Sequence, residues 1–258
     1  MARAGGGAGS ALLIVLLAPG ASSAPGEKSA GRAPASCPDP ADQVLARFEA
    51  RPDEPVQSFR ARRRMRAEGL GRQGFMEVLV ELDPERGFRW TVEAERGSTL
   101  LRKKGFGSVL RKEEEIREME GADGNALTAD NYDLAVVGEE PGGLVRIRAT
   151  PRRKAAGLVD GTFIVTCDTA DLVRVEGRLA RTPSFWITRV EVVRQFRRIQ
   201  GHRVVVRVES VAHVRLFGAV RLTVDFDYEM IDGEELGPAP ESSLTAARAR
   251  PAAPAGTY

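Results

Sequence analysis

FRARRRMRAEGLGRQGFMEVLVEL, residues 59–82, changes character at nearly every other position. Phe59, Ala61, Met65 and Ala67 alternate with Arg60, Arg62, Arg64 and Arg66, and Met76, Val78, Val80 and Leu82 then alternate with Glu77 and Glu81. Successive side chains of a strand point to opposite sides, so a period of two makes one greasy face and one charged face. The same phase continues through Phe88, Trp90, Val92 and Ala94, set against Arg89, Thr91, Glu93 and Glu95.

The second half of the chain repeats the pattern. Its apolar sets are Val145, Ile147, Ala149; Val173, Val175, Leu179; Trp186, Val190, Val192, Phe196; Val204, Val206, Val208, Ala212, Val214, Leu216; and Val220, Leu222, Val224, Phe226, Tyr228. Pro84-Glu85-Arg86-Gly87, Pro141-Gly142-Gly143, Asp160-Gly161 and Gln200-Gly201 read as the turns between strands. Alternation this regular belongs to antiparallel sheets with one solvated side, not to parallel sheets sandwiched by helices. Arg174, Glu176, Arg178, Arg221, Asp225 and Asp227 on the other side read as cross-strand charge pairs. Residues 40–50 (PADQVLARFEA) put Val44, Leu45 and Phe48 at helical spacing, with Asp39 placed to cap the helix. The one long interruption, residues 98–120, holds Phe106, Val109, Leu110, Ile116 and Met119 around a charged block. It predicts a helix from about Gly107, preceded by a short strand over 99–103. A helical turn at 128–131 then leads into a strand over 132–137.

Both ends have a different composition. Arg3, the apolar run ALLIVLLA at 11–18 and the small residues Ala21-Ser22-Ser23-Ala24 form the pattern of an export signal, with an apolar core too short to span a bilayer. The expected organisation is a signal peptide over 1–24, a disordered linker over 25–39, one domain over 40–236 and a disordered tail over 237–258. Cys37 stands far beyond the apolar core, so a soluble periplasmic protein is expected, not a lipid-anchored one.

Composition removes several function classes. The 258 residues hold 38 Lys plus Arg against 36 Asp plus Glu, so there is no polycationic surface for nucleic acid. Two cysteines and two histidines (His202, His213), with no CxxC or HxxxH spacing, give no metal signature, and no cofactor is expected. Export makes a Cys37–Cys167 disulfide permissible; the alternative is an unpaired linker thiol and a small buried strand residue. Gly105-Phe106-Gly107 lacks the third glycine and the βαβ setting of a nucleotide loop. No Gly-x-Ser-x-Gly elbow is present, and His213 falls on the charged phase, so no catalytic residue is named and no enzyme is expected.

The greasy face constrains what remains. About ten strands at about 4.8 Å make a sheet near 45 Å across, whereas a covering helix is about 10–12 Å wide. The sheet must curl toward a barrel, dimerise, or leave an apolar hollow, and a curled sheet with a hollow suits a lipid or acyl chain. A fully packed core without ligand is the alternative. The expected lining is Met76, Val78, Val80, Phe88, Trp90, Val92, Phe106, Leu110, Trp186, Val190, Val206, Val208, Leu222 and Phe226. Arg63 and Arg194 break the apolar phase and are candidates for a polar group at the mouth.

Three stretches carry a family resemblance: Asp83-Pro84 followed by Phe88-Arg89-Trp90; the run LVDGTFIV at 158–165 leading to LVRVEG at 172–177; and FRRIQGHRV at 196–204 followed by Phe226-Asp227-Tyr228. Together they resemble the LolA-like outer-membrane lipoprotein-sorting proteins over most of residues 57–232. The resemblance implies an incomplete β-barrel closed by helices. It also implies a periplasmic carrier of lipid or lipoprotein acyl chains that works with inner- or outer-membrane transport proteins. Related domains act as envelope sensors or protein-interaction modules, the alternative function. The chain departs from the carriers at Asp83, where they tend to have a basic residue before the proline.

Overall fold

A computed structural model describes residues 37–51, 55–120, 126–155, 157–216 and 218–237. The expected signal peptide, all but the last residues of the linker, and the tail from 238 lie outside the described residues, as do the side chains of Ile116 and Met119. The elements run α1 (Ala41–Ala50), β1 (Phe59–Gly69), β2 (Arg72–Asp83), β3 (Gly87–Gly97), a π-helical turn (Leu101–Phe106) and α2 (Gly107–Glu120). There follow β4 (Tyr132–Glu140), β5 (Leu144–Pro151), β6 (Val159–Thr166), β7 (Leu172–Leu179), β8 (Ile187–Ile199), β9 (His202–Val214), β10 (Gly218–Ile231) and the two-residue β11 (Glu234–Glu235).

The strands form one antiparallel sheet in the order β3-β2-β1-β10-β9-β8-β7-β6-β5-β4, with β11 on β10. Among the described residues β3 and β4 are its free edges and two α-helices accompany it, so the fold is a mainly-β, curved, unclosed half-barrel. The apolar phase is inside: Ala61, Met65, Val78, Val80, Val145, Ile147, Phe163, Val175, Val190, Val192 and Ala212 are all buried in one continuous core. The charged phase is outside and paired as expected. Arg62 reaches Glu93 at 2.9 Å and Glu229 at 3.1 Å, Arg66 reaches Asp225 at 2.8 Å, and Arg207 bridges Glu209 and Asp225 at 2.6 and 2.7 Å.

Several local expectations are corrected. Asp160-Gly161 is not a turn but lies inside β6, where Gly161 pairs with Gly177 of β7. A Cβ on Gly161 would sit 2.0 Å from the Glu176 carbonyl oxygen, and one on Gly177 2.4 Å from that of Asp160. Both glycines therefore serve the close approach of the two strands. Residues 99–103 are helical, not a strand: the π-helical turn runs directly into α2. Asp39 does not cap α1, whose N-terminus has no side-chain cap; it pairs instead with Arg47 at 2.6 Å. Cys37 and Cys167 form a disulfide, with Cα atoms 5.3 Å apart. Arg47, in the last turn of α1, donates to the Cys167 carbonyl at 2.6 Å, so two links tie α1 and the residues before it to the β6–β7 turn.

Candidate functional site

The two helices cover the two flanks of the concave face and leave its middle less protected. α1 rests on β4 and β5, where Phe48 meets Phe163 edge-on at 6.2 Å and Phe163 meets Tyr132 at 5.0 Å. The π-helical turn and α2 rest on β2 and β3, with Leu101, Phe106 and Leu110 buried. Between them β8, β9 and β10 contribute Phe196, Val208, Phe226 and Tyr228, apolar residues that pack against the core yet stay half-buried. This row is the candidate site.

The expected lining residues divide into three groups. Met76, Val78, Val80, Phe88, Phe106, Leu110, Val190 and Leu222 are buried in the packed core. Trp90, Val208 and Phe226 are half-buried beside it. Val92, Trp186 and Val206 depart from the expectation. Val92 lies on edge strand β3, beyond the cover of α2, and is exposed. The β8–β9 register shifts between Gln195 and Phe196, where Phe196 faces Val205 and Val206 drops out of the pairing. A bulge of this kind reverses which face the following residues present. Val204 is consequently buried outside the main core, and Arg203, not Val204, lies over the Phe48 ring at 5.6 Å. Trp186 precedes β8, in the β7–β8 loop, and is exposed together with Phe185.

The two inward arginines have opposite surroundings. Arg63 on β1 is buried and makes a two-point ion pair with Glu113 of α2 at 2.5 and 3.0 Å; Arg117 adds a bond to the same carboxylate at 3.2 Å. Its guanidinium lies over Phe226 at 4.7 Å and Phe88 at 5.6 Å. Burial works against both charges, but each outweighs that cost for the other: the Arg63 value is raised, and the Glu113 carboxyl is held below its ordinary range. Burial also pushes the nearby Tyr228 phenol up to about 12. Glu113 is the residue that sequence reading missed. It sits in a charged block, and only its spacing on α2 brings it over Arg63.

Arg194 on β8 has no carboxylate partner among the described residues. It is half-buried, donates one hydrogen bond to the Gly157 carbonyl at 3.0 Å, and burial lowers its pKa with only Tyr132 opposing. Tyr132 accepts a hydrogen bond from the Val159 amide at 3.0 Å. One rung further along the same face, Ser210 is fully buried, and its Oγ has no hydrogen-bond partner. The middle of the concave face is therefore apolar with one uncompensated cation. Three open grooves of about 540, 630 and 500 Å³ lie elsewhere, and none is lined by the expected residues. Among the described residues no cluster of His, Cys, Asp or Glu is arranged to hold a metal, and no helix is long and apolar enough to cross a membrane. Asp83, the point of departure from the carriers, accepts hydrogen bonds from the Glu85 and Arg86 amides at 2.9 and 3.0 Å, and these bonds hold its carboxyl below the ordinary range. It shapes the β2–β3 turn and stands apart from the concave face.

No family model matches the sequence, and no curated protein matches it. Among solved structures the chain is similar to a DUF1329 family protein from Desulfovibrio piger, 14% identical, with 72% of this chain and 89% of that chain covered at a TM-score of 0.34. It is similar to MucB, 15% identical, over 72% of this chain and 92% of that chain at a TM-score of 0.21. A Pseudomonas aeruginosa MucA/MucB complex matches at 14% identity, over 73% and 93%, with a TM-score of 0.22. At these values the likenesses carry no argument about function, and the half-barrel rests on the strand order and register themselves.

Proposed function

We propose that this protein is a periplasmic binding or carrier protein for the acyl chain of a lipid or lipoprotein, which lies along β8–β10 between the two helices. The observation that supports the reading most is the half-buried apolar row Phe196, Val208, Phe226 and Tyr228, which lies on β8–β10 between the strands on which α1 and α2 rest. An apolar chain laid there gains about 25 cal/mol for each Å² of surface it removes from water. The LolA-like stretches agree with this reading.

α2 is the element that must yield to a bulky chain, because it is tied to β1 through the Arg63–Glu113 pair instead of through apolar contact alone. Arg194, uncompensated on the same face, is the place for a polar group at the end of the chain. A fluorescent fatty-acid probe tests the reading. Uptake should occur in the unmodified protein and fall in Val208→Asp, which puts a carboxylate in the row. No uptake by the folded protein would refute the carrier and leave an interaction or sensor module as the reading.

A further inference from the structure

In an antiparallel meander alternate turns fall at the same end of the sheet. The β1–β2, β5–β6, β7–β8 and β9–β10 connections share one end, as the pairs Gly69↔Val220, Val159↔Leu179 and Ile187↔Val214 show. That end carries large apolar side chains in water. Phe185 is 73% exposed, Trp186 45%, Leu216 94% and Leu70 37%.

The two central loops are tied into one knob. The Arg215 amide donates to the Trp186 carbonyl at 2.8 Å, and its guanidinium bonds the Phe185 carbonyl at 3.1 Å while lying over the Phe185 ring at 4.6 Å. Phe185 and Trp186 meet edge-on at 5.8 Å. The apolar side chains thus protrude from a braced support.

The loops that bear the knob and those beside them are basic. Residues 70–72, 152–158, 180–186 and 215–217 contain Arg72, Arg152, Arg153, Lys154, Arg181 and Arg215 and no Asp or Glu. The opposite end mixes Asp83, Glu85, Asp168, Asp171 and Asp232 with Arg86, Arg198 and Arg203, and at the end that bears the knob Asp130 and Asp133 stand beside the start of β4, where Asp133 pairs with Arg152 at 3.0 Å. The chain as a whole is nearly neutral, so the basic character of these loops is local.

We infer that this end docks on an anionic lipid bilayer, with Phe185, Trp186 and Leu216 entering the headgroup region and the basic residues around them facing lipid phosphates. Aromatic rings with a polar atom favour the headgroup level, and basic residues are drawn to anionic lipid within a Debye length of the surface. The end with the β2–β3 and β8–β9 turns would then point away from the membrane. The inference goes beyond the acyl-binding reading and does not require it.

The test uses the full chain and vesicles of phosphatidylethanolamine with one quarter phosphatidylglycerol, read by tryptophan fluorescence. A blue shift should appear on anionic vesicles, weaken with added salt and on phosphatidylcholine vesicles, and vanish in Trp186→Phe, which isolates this residue from Trp90. The double variant Phe185→Ser/Leu216→Ser should need roughly tenfold more lipid for the same shift, and Arg181→Gln/Arg215→Gln should lose the salt dependence. Unchanged circular dichroism establishes that these surface variants fold. Vesicle binding without a Trp186 shift would overturn the inference, since another segment would then be the anchor. Self-association abolished by the serine pair, with no lipid response, would overturn it in favour of a second copy.

Discussion

The buried pair of Arg63 on β1 and Glu113 on α2 can be tested one residue at a time. Removing the Glu113 charge as Glu113→Gln leaves Arg63 buried without its partner and should cost about 3 kcal/mol in a denaturant melt, whereas the double replacement Arg63→Met/Glu113→Leu should recover much of that loss. The pH dependence follows from the lowered carboxyl. A group depressed in the folded state contributes fully above its ordinary value near 4.5, and that contribution is lost as pH falls through the lower folded value. Acid should therefore loosen α2 before the sheet, and the Glu113→Gln protein should lack this step. Gly161→Ala places a methyl against the Glu176 carbonyl and should destabilise by about 3 kcal/mol or more, although glycine-to-alanine changes elsewhere in strands are often favourable. Arg63 was legible in the sequence as a break in the apolar phase. Its partner was not, because pairing across more than forty residues depends on where α2 comes to rest.

At the level of elements, the period of two in residues 59–82 was enough to read β1 and β2, and it read most of the remaining strands. It failed where a single residue changes phase. Bulges at Glu77/Val78, Val136/Gly138, Ile164/Val165 and Gln195/Phe196 leave no composition signal, and the last of these removed Val206 from the expected lining. Edge position defeated the reading of Val92 and loop position that of Trp186, since alternation says which residues share a side but not where the cover stops. The Cys37–Cys167 link closes a loop of 130 residues of sequence separation and anchors α1. Cys37→Ser or reduction should cost about 2–4 kcal/mol in a chemical melt. It should also raise hydrogen exchange in α1 and β4 ahead of β1 and β2, since α1 rests on β4 and β5.

Across the whole molecule three surfaces do different work. The convex face is a lattice of arginine and carboxylate pairs. One sheet end carries a knob of exposed apolar side chains between basic loops. The concave face is buried at its flanks and half-buried at its centre. That centre is what separates a ligand-binding half-barrel from a merely folded one, and native mass spectrometry of the protein isolated from the cells that make it, followed by lipid extraction, tests it most directly. The account predicts an acylated species leaving with the protein at one-to-one stoichiometry and lost in Val208→Asp. A clean protein mass that takes up no added lipid would contradict it.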